Sequence, residues 1–264
     1  MSDDVLLVEV TDRVATVTLN RPEARNALNR ALRKAVWQTL RDLDGDDGVD
    51  VVILTGSDPA FCAGLDLKEL GSSTGASEEA LGGDEATKPP AERGPFPDIT
   101  KPVIGAINGA AITGGFELAL RCDLLVASER GVFADTHARV GIMPGWGLTI
   151  LLPQAVGVRR ARELSLTGNF LDAATAHDWG LVNHVVPHEE LLPFCQKLAA
   201  DMVSNDQVAV RRVLRTYAEA AYATDAEAWD IEAEAAAEWQ GRGLDPAEIE
   251  ARRAAVTTRG RSQL

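Results

Sequence analysis

Glu117 stands a few residues beyond a glycine-rich turn, and that spacing is the first feature of the chain that could do chemistry. The turn is Asn108-Gly109-Ala110-Ala111-Ile112-Thr113-Gly114-Gly115-Phe116. Before it, Val103 to Ile107, introduced by Lys101-Pro102, reads as a buried strand. After it, Glu117 to Arg121 reads as the first turns of a helix. A strand, a turn and a helix N-terminus aim several backbone N–H groups at one point, where the helix dipole favours negative charge. A carboxylate beside that point suits a reaction passing through an oxyanion, with Glu117 as acid or base. The same residues also suit a tight strand-to-helix turn with a solvated glutamate.

A second stretch has the same design. Val51 to Gly56 is a buried-strand run, and Ser57-Asp58-Pro59-Ala60-Phe61-Cys62-Ala63-Gly64-Leu65-Asp66-Leu67 follows it. Two such turns could each offer one N–H to the same oxygen. With Asn20-Arg21-Pro22, Asn26-Ala27-Leu28, Gly141-Ile142-Met143-Pro144-Gly145 and Gly180-Leu181-Val182-Asn183, the chain resembles the enoyl-CoA hydratase/isomerase (crotonase) superfamily. The stretches run in that family's order and spacing over residues 5–200.

The resemblance implies an α/β fold, a crotonase-type spiral of ββα units with a C-terminal helical region. It implies a core over residues 1–199 holding an acyl-CoA site, and helices over 200–264 that cover the active site and make subunit contacts. It places the two oxyanion amides at Leu65 and Gly114, with Ala63 and Asp66 on the substrate side of the first turn. Glu117 matches the first of two hydratase glutamates. The second would fall at His137, a departure from the hydratase pattern. An imidazole near its ordinary pKa of about 6.5 can still give or take a proton at neutral pH, or His137 is a structural residue at a strand end. Asp135 could orient that imidazole, but is read in preference as a solvated acid.

Arg25 and Lys68 fall near the coenzyme A phosphates by resemblance, or are ordinary surface charges. Trp146 walls the acyl pocket or belongs to the core. Cys62, beside the first turn, is read as a buried packing residue. The reaction implied is addition of water to a 2-enoyl-CoA, with Glu117 as base and His137 as acid. No cofactor is implied beyond the coenzyme A of the substrate, and no metal. The alternatives are isomerisation, thioester hydrolysis, decarboxylation, or a non-catalytic acyl-CoA-binding paralogue. Glu117 and both turns favour an enzyme; loss of the second glutamate favours the alternatives.

Composition sets bounds on partners. The chain has 264 residues, 45% hydrophobic and 25% charged, as in an ordinary globular protein large enough to bury a core. A net charge of −14 argues against nucleic acid or an anionic membrane as partner. Without a long apolar run or a signal-peptide pattern, the cytoplasm is the expected location. Cys62, Cys122 and Cys195 are too few and too scattered for a disulfide framework.

The positioning elements follow from periodicity. Val5 to Val10 and Val14 to Leu19 read as a hairpin, and Asn26 to Leu43 as an amphipathic helix. Residues 71–97, rich in Gly, Ser, Glu and Pro, read as a mobile loop beside the acyl pocket. Asp123 to Ala127 reads as another buried strand. Thr149 to Val156, Ala161 to Leu166, an Asp172-capped stretch to Trp179, Leu191 to Met202 and Gln207 to Ala221 read as helices. Glu219 to Glu238 reads as a helix with a solvated acidic face, and 257–264 as a disordered end. The resemblance implies a homotrimer or a dimer of trimers.

Overall fold

The computed structural model describes residues 4–66, 68 and 69, 93–221, 223–241 and 253. The chain divides into two compact units, Met1–Val210 and Arg211–Leu264. In the first, β1 (Leu6–Thr11) and β2 (Val14–Leu19) form the expected antiparallel hairpin. Beyond β2 the main sheet is parallel: β3 (Val51–Gly56), β4 (Val103–Ile107), β6 (Leu124–Ser128) and β9 (His184–Val186) follow in that order. Every residue of β3 and β4 is buried, which is why both read as unbroken apolar runs.

A smaller sheet carries β5 (Ala110–Ile112), β7 (Val132–Ala134) and β8 (Leu171–Asp172). The sequence offered no strand at β5, where it suggested only a turn. Three residues are too few to show a period of two. The two sheets grow together: each turn of chain adds a strand to the large sheet, then a short one to the small sheet, then a helix. Thus β4 and β5 lead to α2 (Gly114–Leu120), and β6 and β7 lead to α3 (His137–Val140). After β3 the single residue Cys62 fills the short-strand place, bridging in parallel to Ala111.

α1 (Arg30–Gly45) starts four residues later than periodicity suggested. Asn29 caps it by accepting from Leu32 N at 2.8 Å, while Arg25 and Asn26 have φ of 51° and 56°, which no α-helix admits. Its other end is held by buried Lys101, whose Nζ donates to the carbonyls of Leu43 and Asp46, both at 2.6 Å. An ammonium there meets the negative end of the helix dipole. α4 (Leu148–Val156), α5 (Val158–Thr167), α6 (Ala173–Asp178) and α7 (Leu191–Val203) appear where helices were expected. Asp172 caps α6 through Thr175 N at 2.9 Å. Leu191, Cys195 and Ala199 of α7 pack on the large sheet against Val14, Ile53 and Ile104.

α8 (Gln207–Ala220) and α9 (Asp225–Gly241) complete the described helices. In the second unit Arg212 pairs with Glu219 and with Glu238 of α9. The mobile loop expected over 71–97 lies outside the described residues as far as 92, as does the end from 257. Its described part is packed: Phe96 is buried in the main core, with the Arg121 guanidinium 6.0 Å from its ring. Among the described residues, no helix is long and apolar enough to cross a membrane.

Candidate active site

The spiral brings distant residues to one place by register. Cys62 pairs with Ala111, and Ala111 with Phe133, so these three lie in one row across the small sheet. Three residues further along each turn come Leu65, Gly114 and Thr136; one more step gives Asp66, Gly115 and His137. The turns that looked alike in sequence are therefore neighbours in space.

The first turn is clamped on both sides. Cys62 N donates to Ala110 O and Ile112 N to Cys62 O, each at 2.9 Å, while Ala63 N donates to Arg25 O at 3.0 Å and Leu28 N to Gly64 O at 2.7 Å. Gly64 has φ +92°, and a Cβ there would lie 2.8 Å from Ile112 O, so only glycine fits. Gly115 is as constrained, since its Cβ would lie 2.1 Å from Cys62 O. Buried Asn26 donates to the carbonyls of Ser57 and Ala60, and Asn108 donates to Ala60 O and to Asp58. These asparagines fix the approach to the turn.

The Leu65 amide nitrogen lies 3.7 Å from where a Gly114 Cβ would be, and the Gly114 nitrogen 3.5 Å from the corresponding Gly64 position. Among the described residues, neither amide donates to a backbone carbonyl. Two amides so placed can hold one negatively charged oxygen. Thr113, just before Gly114, has φ +54° and ψ −112°, a costly conformation for a β-branched residue. It is held there by Thr113 N donating to Ala134 O at 2.8 Å and by a hydroxyl–hydroxyl contact with Thr136.

Glu117, on α2, is buried. Its Oε1 accepts from Trp146 N at 2.8 Å, and its Oε2 lies 3.5 Å from His137 Nε2. His137 is buried at the first position of α3 rather than on a strand end. Its Nδ1 lies 2.6 Å from Asp135 Oδ1, which also accepts from His137 N at 3.2 Å. The reading of Asp135 as a solvated acid is overturned: it is 1% exposed. Nor does the imidazole keep its ordinary pKa. Burial alone would lower it, but the hydrogen bond and charge of Asp135, and those of Glu117, raise it to about 9. Burial likewise opposes the charge of Asp135, yet hydrogen bonds from His137 and from the Ser165 hydroxyl hold its pKa below the usual carboxylate range.

A small open cleft lies over the pair, lined by Leu65, Glu117, His137, Ile142, Met143, Gly145 and Trp146. Trp146 is nearly buried, its ring 3.2 Å from the Gly114 Cβ position, so it walls the cleft. Asp66 is pinned by Arg21 Nη2 at 3.0 Å and accepts from Lys68 N, which lowers its pKa despite burial. Ala63 and Arg25 meet through their backbones, and the Arg25 and Lys68 side chains are exposed. Cys62 is buried, its thiol pushed up to about 12 by burial, so it is a packing residue. Ser128, His188 and Asp58 lie in hydrogen-bonded sequence at 3.0 Å, but Ser128 is fully buried and accepts from Arg130 N. They tie β6 to the first turn. The Arg21–Asp66 pair was missed in the sequence, whereas the Asp-x-His spacing did suggest that Asp135 orients the imidazole, a reading placed second there to a solvated acid.

Linkage turns the His137 shift into a stability expectation. The folded pKa lies above the ordinary 6.5, so protonated His137 stabilises fully below about pH 6.5 and this is lost as pH rises through about 9. Asp135 has the opposite sign: its contribution is present above about pH 3.8 and lost as pH falls through its lowered value. The melting temperature of the native protein, relative to His137→Gln, should fall between pH 6.5 and 9. Parallel curves would show that the imidazole is not ion-paired.

Two sheets rising together through successive ββα turns make the crotonase fold, and the match to known structures says the same. A Bacillus anthracis enoyl-CoA hydratase structure covers 97% of this chain and 97% of its own at 32% identity, with a TM-score of 0.84. The Mycobacterium smegmatis enoyl-CoA hydratase structure is 52% identical, covering 91% of this chain and 100% of its own, with a TM-score of 0.74. The probable peroxisomal enoyl-CoA hydratase 1 of Arabidopsis thaliana is 45% identical over 203 residues, 76% of this chain and 73% of that protein. Residues 9–242 match the model of the enoyl-CoA hydratase/isomerase family, and the chain belongs to that family.

Proposed function

We propose that this protein is an enoyl-CoA hydratase, adding water across the double bond of a 2-enoyl-CoA. The observation that carries the reading is the Glu117–His137 pair, facing at 3.5 Å beside the Leu65 and Gly114 amides. Relatives named as hydratases support it. The thioester oxygen takes hydrogen bonds from the Leu65 and Gly114 N–H groups. Glu117 carboxylate removes a proton from water as its oxygen bonds to C3, and the double-bond electrons move into the thioester to form an enolate. His137 Nε2–H then gives its proton to C2, and the enolate collapses. Glu117, now protonated, returns its proton to His137 Nε2, so one water is consumed and both groups are reset. Here His137 takes the part of a second glutamate.

Each positioned amide contributes roughly 10²–10³ in rate. No step needs a metal or redox partner; coenzyme A enters as part of the substrate, with Arg25 and Lys68 near its phosphates and Ala63, Asp66 and Trp146 shaping the acyl side. The test is incubation with 2-enoyl-, 3-enoyl- and saturated acyl-CoAs, with product identification. Formation of 3-hydroxyacyl-CoA supports the reading. Binding without hydration, with shifted double bonds or free coenzyme A as product, sinks it and identifies the other reaction.

The proposed setting is cytoplasmic, and the assembly a trimer or dimer of trimers using the alanine-rich C-terminal region 200–264 for subunit contacts. Trp229 and Tyr217 there are 73% and 74% exposed in the single chain, surface that such contacts would cover. Light scattering should give three or six subunits; a stable monomer at micromolar concentration rejects this.

A further inference from the structure

We propose that Asp135 is a positioning residue for the reaction: it fixes the His137 ring with Nε2–H toward Glu117 and keeps that ring a cation. The inference rests on the hydration reading above and extends it to a residue that does not touch substrate.

The argument begins with donors and acceptors. An ionised carboxylate only accepts hydrogen bonds, and a neutral imidazole has one N–H to give. His137 lies between two carboxylates, Asp135 at Nδ1 (2.6 Å) and Glu117 at Nε2 (3.5 Å). Only the imidazolium serves both. Asp135 Oδ1 takes the ring Nδ1–H and the His137 backbone N–H together, which leaves the ring one orientation. Asp135 is itself held, buried, with the Ser165 hydroxyl of α5 donating to it. The charged groups facing the imidazole are Asp135, from its own turn, and Glu117, from α2; α5 brings the neutral Ser165 to Asp135.

This arrangement answers a difficulty in using histidine as the acid. Burial would strip the ring of its proton at neutral pH, leaving nothing to deliver to C2. The Asp135 hydrogen bond, the largest of the raising causes, reverses that together with the hydrogen bond and charge of Glu117, and the pKa rises to about 9. After the proton leaves Nε2, Nδ1–H remains bonded to Asp135, so the ring cannot turn. Nε2 is left as the acceptor for the proton returning from Glu117.

The test pairs nitrogen NMR of labelled histidine with kinetics of Asp135→Asn, which keeps the shape and removes the charge. In the native protein, His137 should carry both N–H protons at neutral pH and titrate near 9. In Asp135→Asn the titration should move roughly 1–3 pH units lower. The basic limb of the kcat profile should move with it, and kcat at neutral pH should fall about tenfold or more with KM little changed. A titration and a basic limb that stay in place overturn the proposal, whatever the loss of stability. A native spectrum with His137 neutral at pH 7 overturns it without any variant. If the protein hydrates no enoyl-CoA, the hydration reading fails, while the NMR titration still decides what Asp135 does.

Discussion

Replacing Glu117 by glutamine is expected to leave acyl-CoA binding almost intact and to lower hydration turnover by roughly 10²–10⁴. The amide has the shape of the carboxylate, and its oxygen can still accept from Trp146 N, now at 2.8 Å from Oε1. That bond fixes which end faces the cleft. The end near His137 then becomes an NH₂ group, which cannot take a proton from water. It also points donor against donor at Nε2–H, where a carboxylate now lies at 3.5 Å. The loss should therefore fall on kcat, with KM little changed. Turnover within about threefold of the native protein would remove Glu117 from the role of base.

His137→Ala should cost turnover on the same scale, roughly 10²–10⁴, and should also cost stability. Two buried carboxylates, Asp135 and Glu117, would lose the cation between them. Turnover must be referred to folded sites, since a structural histidine would lower stability yet leave turnover per folded site nearly unchanged. Substitution by glutamate separates these roles further. His137→Glu restores the hydratase pattern of two glutamates but places a third carboxylate beside Asp135. Recovery should be partial in that variant and larger when Asp135→Asn is added, because the buried charge is then removed. Equal activity in His137→Ala and both glutamate variants would reject His137 as the acid. A native protein that binds acyl-CoA without hydrating it, while a glutamate variant does hydrate, would reject hydration as the native reaction.

Much of this site was legible in the residues alone, and for a local reason. Buried parallel strands such as β3 and β4 are continuous apolar runs, and helices such as α6 carry their own stop and start signals in Asp172 and Gly180. The glycines mark the two turns in the sequence, and the family resemblance places the amides at Leu65 and Gly114; the structure adds that Gly64 and Gly115 sit where backbone meets backbone. Glu117 follows from its distance to the second turn.

Tertiary structure decided the rest, because burial, register and charge pairing depend on residues far apart in the chain. The short strand β5 has too little length to announce itself, yet its pairing with Cys62 and Phe133 aligns the three functional turns. Asp66 meets Arg21 across 45 positions, a pairing no local pattern encodes. Asp135 and His137 are two residues apart and could equally have faced water. Enclosure by α2, α3 and α5 makes them a buried pair. A histidine that titrates near 6.5 in water titrates near 9 there, because two carboxylates outweigh the cost of burying its charge.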